Sequence, residues 1–404
     1  MAVFSHRGHR NFSGITGGVC SVYFSSSDIE LLRLAGWCKN LPSEMAQRFH
    51  SQVFNSADIL LLDQLKLLNT TKNGKSIRLR EKGWRFLRYL GMDYHKDAAY
   101  MSGYDRRLEI AWILLTFWRA GFDVFESSVR NLKTPQGFIQ SAAARRNASP
   151  GGDIWGGAVF WGLARLRNTI ISCYHAGGHE DMKIHFRNEK DMLDKAAIML
   201  ETEAAMLYAG ESYEQLARLL RNNSESEGKG GRKSFSEIYK MGASPIYLLE
   251  CGDTGALQLM ILSQENYRKR LAGVILGIPI HPEQLSASDR FAPPPIGVGD
   301  ADGTLLVQGS SIPWLLAVDM DVVRIGRACR QSIAAGYETL IIICLPAQVK
   351  ALKLLYGDNN VKIVVVTEEN LLEAFGALRL YEPDPGPYHN MEGGMIDAAH
   401  LPVD

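Results

Sequence analysis

Three carboxylates in the last quarter of the chain have a spacing that could bind a metal and activate water. Asp302 precedes one apolar strand, and Asp319-Met320-Asp321 stands at the end of the next. Acidic residues on neighbouring strands can hold Mg²⁺ and generate a nucleophilic water. Position 321 is Asp where lysine would orient or deprotonate that water, so a silent site is expected over an active one. A second constellation, Cys173, His175, His179, Glu180, Asp181 and His185, gathers metal-ligand residue types within 13 positions. His175-Ala-Gly-Gly-His179 reads as a hairpin tip with no helical i, i+4 spacing to converge two imidazoles. Solvated histidines are expected there, and no metal. The run Gly228 to Ser234, Gly-Lys-Gly-Gly-Arg-Lys-Ser, lacks the G-x-x-x-x-G-K-[ST] spacing of a phosphate loop, and no strand leads into it.

Asp300-Ala-Asp302-Gly-Thr-Leu305 resembles the D-x-D-G-T-L signature of haloacid-dehalogenase-type phosphatases, whose first Asp is a nucleophile and second a general acid. Pro-Pro-Pro-Ile-Gly-Val-Gly precedes it here instead of an apolar strand, and Glu368-Glu369 comes too late to complete a magnesium site. A tight Asp-Gly turn before a strand is the better account. The trio Asp302, Asp319 and Asp321 is similar instead to the restriction-endonuclease-like arrangement of an acidic residue and a D/E-x-K pair on adjacent strands. A metal-dependent nuclease using these three residues is thus one alternative, and Mg²⁺ is implied only if it holds.

The elements around these residues divide by charge. The chain of 404 residues carries 44 Lys+Arg and 44 Asp+Glu, but residues 1–96 hold 14 and 7, leaving 30 and 37 for the rest. A neutral total excludes a uniformly basic coat for DNA, and a basic head on an acidic body points to an anionic partner for the head. A helix is expected from the capping-box spacing Ser27-Asp28-Ile29-Glu30, a short one over 44–49, and a third after Asn55-Ser56. Two strands then flank Asn73-Gly74, the dipeptide of a type I′ hairpin turn, and a helix follows from Arg80. Three helices, a basic hairpin and a closing helix are the order of a winged helix-turn-helix over 27–96, behind a flexible basic arm over 1–26 that carries His6, Arg7, His9 and Arg10. Lys72, Lys75, Arg78 and Arg80 suit contacts to duplex-DNA phosphates. Asn55, Ser56 and Gln64 are the candidates for base edges, and Asp58 and Asp63 on the same helix predict weak or partner-dependent base reading.

Beyond the head, an amphipathic helix is expected over 104–120, a strand at Phe122 to Phe125, a β-hairpin or meander over 157–174 and a helix from Lys190 to Gly210. These form an α/β body over 97–221, followed by a Gly/Ser-rich linker or loop over 222–234. Residues 235–380 alternate apolar strands with helices, which predicts a sheet covered on both faces and at least partly parallel. Residues 381–404 read as an irregular tail. The whole is expected to be α/β (α+β overall): a winged helix-turn-helix, then a mixed-sheet α/β domain resembling a degenerate restriction-endonuclease-like fold. No apolar run approaches the ~18 residues of a membrane helix, and the amino end does not read as a secretory signal. Six cysteines without paired spacing suit a reducing cytoplasm.

Leu65-Lys-Leu-Leu68 and Arg78-Leu-Arg-Glu-Lys-Gly83 in the head, with Ala301-Asp302-Gly303 and Leu315-Leu-Ala-Val-Asp319 near the other end, carry a resemblance to the replication-relaxation family of plasmids and of integrative and conjugative elements, in the divergent form found in gut Firmicutes. The likeness covers the two ends, roughly half the chain. It implies a cytoplasmic, non-enzymatic DNA-binding accessory protein in replication or in DNA relaxation for transfer, with double-stranded DNA and a relaxase or replication initiator as partners. That family commonly has an acidic residue where this chain has Ala317, which weakens catalysis further. A winged-helix transcriptional regulator whose body senses a ligand is the other alternative.

Overall fold

The computed structural model describes residues 22–71, 74–92, 103–125, 129–141, 158–176, 183–221, 231–277, 293–307, 310–357, 360–384, 386–392 and 394–396. The head begins with α1 (Ser26–Cys38), whose capping box starts two residues earlier than the sequence suggests. Ser25 Oγ accepts from Asp28 N at 3.2 Å, and Asp28 accepts from Ser25 N at 2.8 Å. Glu30 is buried instead and accepts from the Trp118 indole N–H at 2.8 Å, because a buried donor needs a partner. There follow β1 (Leu41–Pro42), α2 (Met45–Arg48), α3 (Ser56–Gln64), β2 (Leu68–Thr70), β3 (Ser76–Leu79) and α4 (Glu81–Tyr89). The antiparallel sheet has the order β1-β3-β2, so β1 adds a third strand to the expected hairpin. Its loop is longer than a two-residue turn: Thr71 N donates to Ser76 O and Gly74 N to Thr71 O, each at 2.8 Å, and Gly74 takes φ +68°.

The body continues with α5 (Tyr104–Arg119), β4 (Phe138–Gln140), β5 (Gly162–Leu166), β6 (Thr169–His175), β7 (Lys183–Ile184), α6 (Phe186–Leu200), β8 (Glu203–Gly210), α7 (Tyr213–Arg221), β9 (Lys233–Ser234), α8 (Phe235–Met241) and β10 (Ile246–Glu250). One mixed sheet runs β10-β8-β6-β5-β4, with β6, β8 and β10 parallel and two antiparallel hairpin pairings beyond. Helical crossovers join its parallel strands, as parallel pairing requires. The 222–234 segment therefore connects strands of one sheet, and its end pairs as β9 with β7.

Two expectations fail in this region. The helix foreseen to Gly210 ends at Leu200, Glu201 turns the chain with φ +52°, and Glu203–Gly210 is a strand. Ala, Met and Leu favour a helix locally, but here they fill an inner strand between two neighbours, where burial overrides propensity. Among the described residues Phe122 to Phe125 makes an isolated bridge, Asp123 to Gly137, in place of the strand foreseen there.

The last part holds α9 (Asp253–Ser263), α10 (Tyr267–Ile275), β11 (Gly303–Val307), β12 (Ser310–Leu316), α11 (Val322–Ala334), β13 (Leu340–Cys344), α12 (Val349–Tyr356), β14 (Val361–Val365) and α13 (Glu368–Phe375). The four strands run in order, β11 antiparallel to β12 and the rest parallel. Alternation puts Trp314, Leu316 and Val318 on a face packed with Leu271 and Ala272 of α10 and Ala374 of α13. Leu315 and Ala317 face the other way, into a core shared with α11, the five-stranded sheet and the head. The tail adds a small hairpin, β15 (Tyr388–His389) with β16 (Met395–Ile396), and His389 bridges Phe24. Among the described residues no helix is long and apolar enough to cross a membrane.

Candidate functional site

The turn after β12 places the carboxylate trio. Met320 N bonds back to Ala317 O at 2.9 Å, with Met320 at φ +52°, and this reversal sets Asp319 and Asp321 on either side of it. Asp302 reaches the same place from the start of β11, where its Oδ2 accepts from Leu316 N at 2.7 Å. The sequence thus foresaw a real convergence. The groups that meet these carboxylates are two arginines. Arg324, in the first turn of α11, donates from Nη1 to both oxygens of Asp302 at 3.1 Å, and from Nη2 to Asp319 Oδ2 at 3.1 Å and Leu316 O at 2.7 Å. Arg268, at the start of α10, donates to Asp319 Oδ2 at 2.7 Å, and its Nε donates to the Tyr267 hydroxyl at 3.0 Å. That hydroxyl donates in turn to Asp319 at 3.1 Å.

Charge balance explains the titration of each group. Burial works against a charge on Asp319, which is 2% exposed, but Arg324 and Arg268 outweigh it and hold its carboxyl below the ordinary range. Burial likewise opposes the charge on both guanidinium groups, and the carboxylates outweigh it, so both stay protonated. Asp321 feels Arg324 only weakly, and burial dominates. Burial and the neighbouring Asp319 push its carboxyl up to about 6. Its Oδ1 caps α11, accepting from Val323 N and Arg324 N at 3.2 Å each. Two carboxylates closed by two guanidinium groups leave little oxygen charge for a divalent cation, which needs several open oxygen ligands. Neither Arg324 nor Arg268 was foreseen. Arg324 had a legible signal, three residues after a capping Asp, whereas Arg268 arrives from 51 positions away with none.

The head presents a different surface. Lys75 and Arg78 are exposed on the hairpin, Arg78 steadied by its Nε bond to Asn40 Oδ1 at 2.6 Å. Arg80 is partly exposed and bonds Asn69 at 2.9 Å and Asp63 at 3.3 Å, so it also braces the hairpin against α3. Lys72 lies outside the described residues. Asn55 caps α3 by accepting from Ala57 N at 3.0 Å, while Ser56 and Gln64 are exposed. The same helix also exposes Leu60 and Leu61, and only Leu62 is buried. The outer face of α4 adds Lys82, Arg85 and Arg88, exposed at helical spacing and not among the residues expected from the sequence. Gly83 lets this helix lie on the hairpin: a Cβ there would meet Leu79 Cδ1 at 2.5 Å and Leu67 O at 2.6 Å.

The Cys/His constellation does not assemble among the described residues. Cys173 is fully buried, and burial pushes its thiol far above the ordinary value. His185 Nε2 accepts from Arg232 Nε at 3.0 Å. His179, Glu180 and Asp181 lie outside the described residues. Among the described residues, no group of three or more His, Cys, Asp or Glu could hold a metal ion. Comparison with known proteins finds no matching family model, no matching curated protein and no matching solved structure.

Proposed function

We propose that the chain is a non-enzymatic, cytoplasmic protein that binds duplex DNA through an N-terminal winged helix, as an accessory factor in the replication or transfer of a mobile element. The observation that carries this reading is the exposed cationic surface of Lys75, Arg78, Lys82, Arg85 and Arg88 on the hairpin and the helix that follows it. The helix order and the β1-β3-β2 sheet are in keeping with a winged helix. Cations on a wing neutralise phosphates and release counterions, giving affinity without sequence information. Leu60, Leu61, Asp58 and Asp63 on α3 make that helix a poor reader of base edges, so a relaxase or replication initiator of the same element supplies the site preference. The clamped Asp302 and Asp319 weigh against the nuclease alternative, since Mg²⁺ would have to displace the buried Arg324 guanidinium and the half-buried Arg268.

The test is duplex affinity against salt. Each phosphate contact contributes about 0.9 to the logarithmic salt slope, so Lys75→Ala with Arg78→Ala flattens it by roughly 2. An unchanged slope would remove the wing from the interface. Nicking of supercoiled plasmid in Mg²⁺ or Mn²⁺, abolished by Asp302→Asn, would replace this reading with the nuclease.

A further inference from the structure

A cleft of about 380 Å³ opens beside the Asp319–Arg268 pair, at the seam between the five-stranded and four-stranded sheets. Ligand sites favour such seams, and this volume falls within the ~300–1,000 Å³ of small-molecule pockets. The β5–β6 turn supplies Arg167, β10 supplies Tyr247, and the start of α10 supplies Tyr267, Arg268 and Lys269. The walls therefore combine two aromatic residues with three cations. Arg268 is committed to Asp319 and Asp302. Among the described residues Arg167 donates one side-chain bond, from Nη1 to Gln264 O at 3.1 Å, and Lys269 and Glu203, both exposed, also line the cleft. Arg167 takes φ +55° as the first residue of the two-residue turn between Leu166 and Thr169, which fixes the side chain's point of departure at the cleft.

An aromatic wall suits a planar ring, and a cationic rim suits an anionic group, which a guanidinium binds with two parallel hydrogen bonds. We propose that this cleft binds a nucleoside monophosphate, either free or as the 5′-terminal nucleotide of a single DNA strand. The base lies against the tyrosine wall and the phosphate meets Arg167 and Lys269. Tyr267 and Arg268 also hold Asp319, so an occupant tightens the seam at which the two sheets meet. The proposal is independent of the wing, and failure of duplex binding leaves it standing.

Calorimetric titration of the full chain tests it, with AMP and dTMP as free probes, adenosine and inorganic phosphate as half-probes, and 5′-phosphorylated and 5′-hydroxyl single-stranded tetranucleotides. A nucleotide should bind at least about tenfold more tightly than either half-probe. Arg167→Ala with Lys269→Ala, both on the rim, should weaken binding by about tenfold or more while leaving the melting temperature of the free protein unchanged. Tighter binding of the phosphorylated tetranucleotide identifies a strand end, and binding of the free nucleotides alone identifies a metabolite; both outcomes support the site. No heat from any nucleotide at millimolar concentration, or affinity unaltered in the double variant, overturns it.

Discussion

Replacing Asp321 by Asn should stabilise the protein at neutral pH. The wild-type carboxyl is 6% exposed, faces Asp319 and is pushed from an ordinary 3.8 to about 6. The folded protein thus holds this proton more tightly than the unfolded chain does. Stability from this group is full below about pH 4, is lost as pH rises to about 6 and is level above. At about 1.4 kcal/mol per unit, the loss is about 3 kcal/mol. Asparagine keeps an acceptor for Val323 N and Arg324 N and is as good a helix cap as aspartate, but carries no charge. The pull of the helix N-terminus on the charged form is already contained in the raised carboxyl, so the gain from Asp321→Asn is about 3 kcal/mol at pH 7 and near zero at pH 4. Asp319 has the opposite sign: its lowered carboxyl adds stability that disappears only as pH falls below 4, outside this window. Urea midpoints between pH 4.5 and pH 8, followed by tryptophan fluorescence, measure the difference. A variant less stable than wild type at pH 8, or one with the same pH slope, would refute the reasoning and mark Asp321 as a carboxylate kept ionised by something it binds.

Three further substitutions probe the elements around the sites. Arg324→Met leaves Asp302 and Asp319, both largely buried, to Arg268 alone and should cost about 3–5 kcal/mol, read as a fall in melting temperature. Arg119 is 5% exposed and joins three parts of the chain, bonding Asp253 and His50 O at 2.9 Å each as well as Glu382. Arg119→Ala should cost a similar ~3–5 kcal/mol and open the segment around Glu382 to limited proteolysis. Gly83→Ala forces α4 off the hairpin and should cost about 1–3 kcal/mol, with duplex affinity falling alongside stability because the two cationic surfaces separate.

Much of the local structure was legible from residues alone. Asn55 before a helical period, Gly74 in a turn and the apolar strand over Leu340–Cys344 each announce their element through short-range physics: a cap, a positive φ and continuous burial. The convergence of Asp302 and Asp319 was legible too, because each sits at an end of one of two strands joined by a short connection. Less was legible wherever the deciding neighbour lay far along the chain. Glu203–Gly210 has a helical composition, and only its place between β6 and β10 makes it a strand. Leu41–Pro42 is too short to signal a strand and exists because β3 offers it a free edge.

By itself, then, the sequence determined the element types wherever they depend on contacts within a few residues, the surplus of positive charge in the first 96, and the approach of three carboxylates to one another. Tertiary structure alone decided what those carboxylates meet. Coulomb energy depends on separation and burial, and neither is encoded in spacing along a chain. Arg268, 51 positions from Asp319, closes an ion-pair network in a site whose sequence reads as acidic. The same placement of α10 against the five-stranded sheet makes the cleft, from residues that carry no motif.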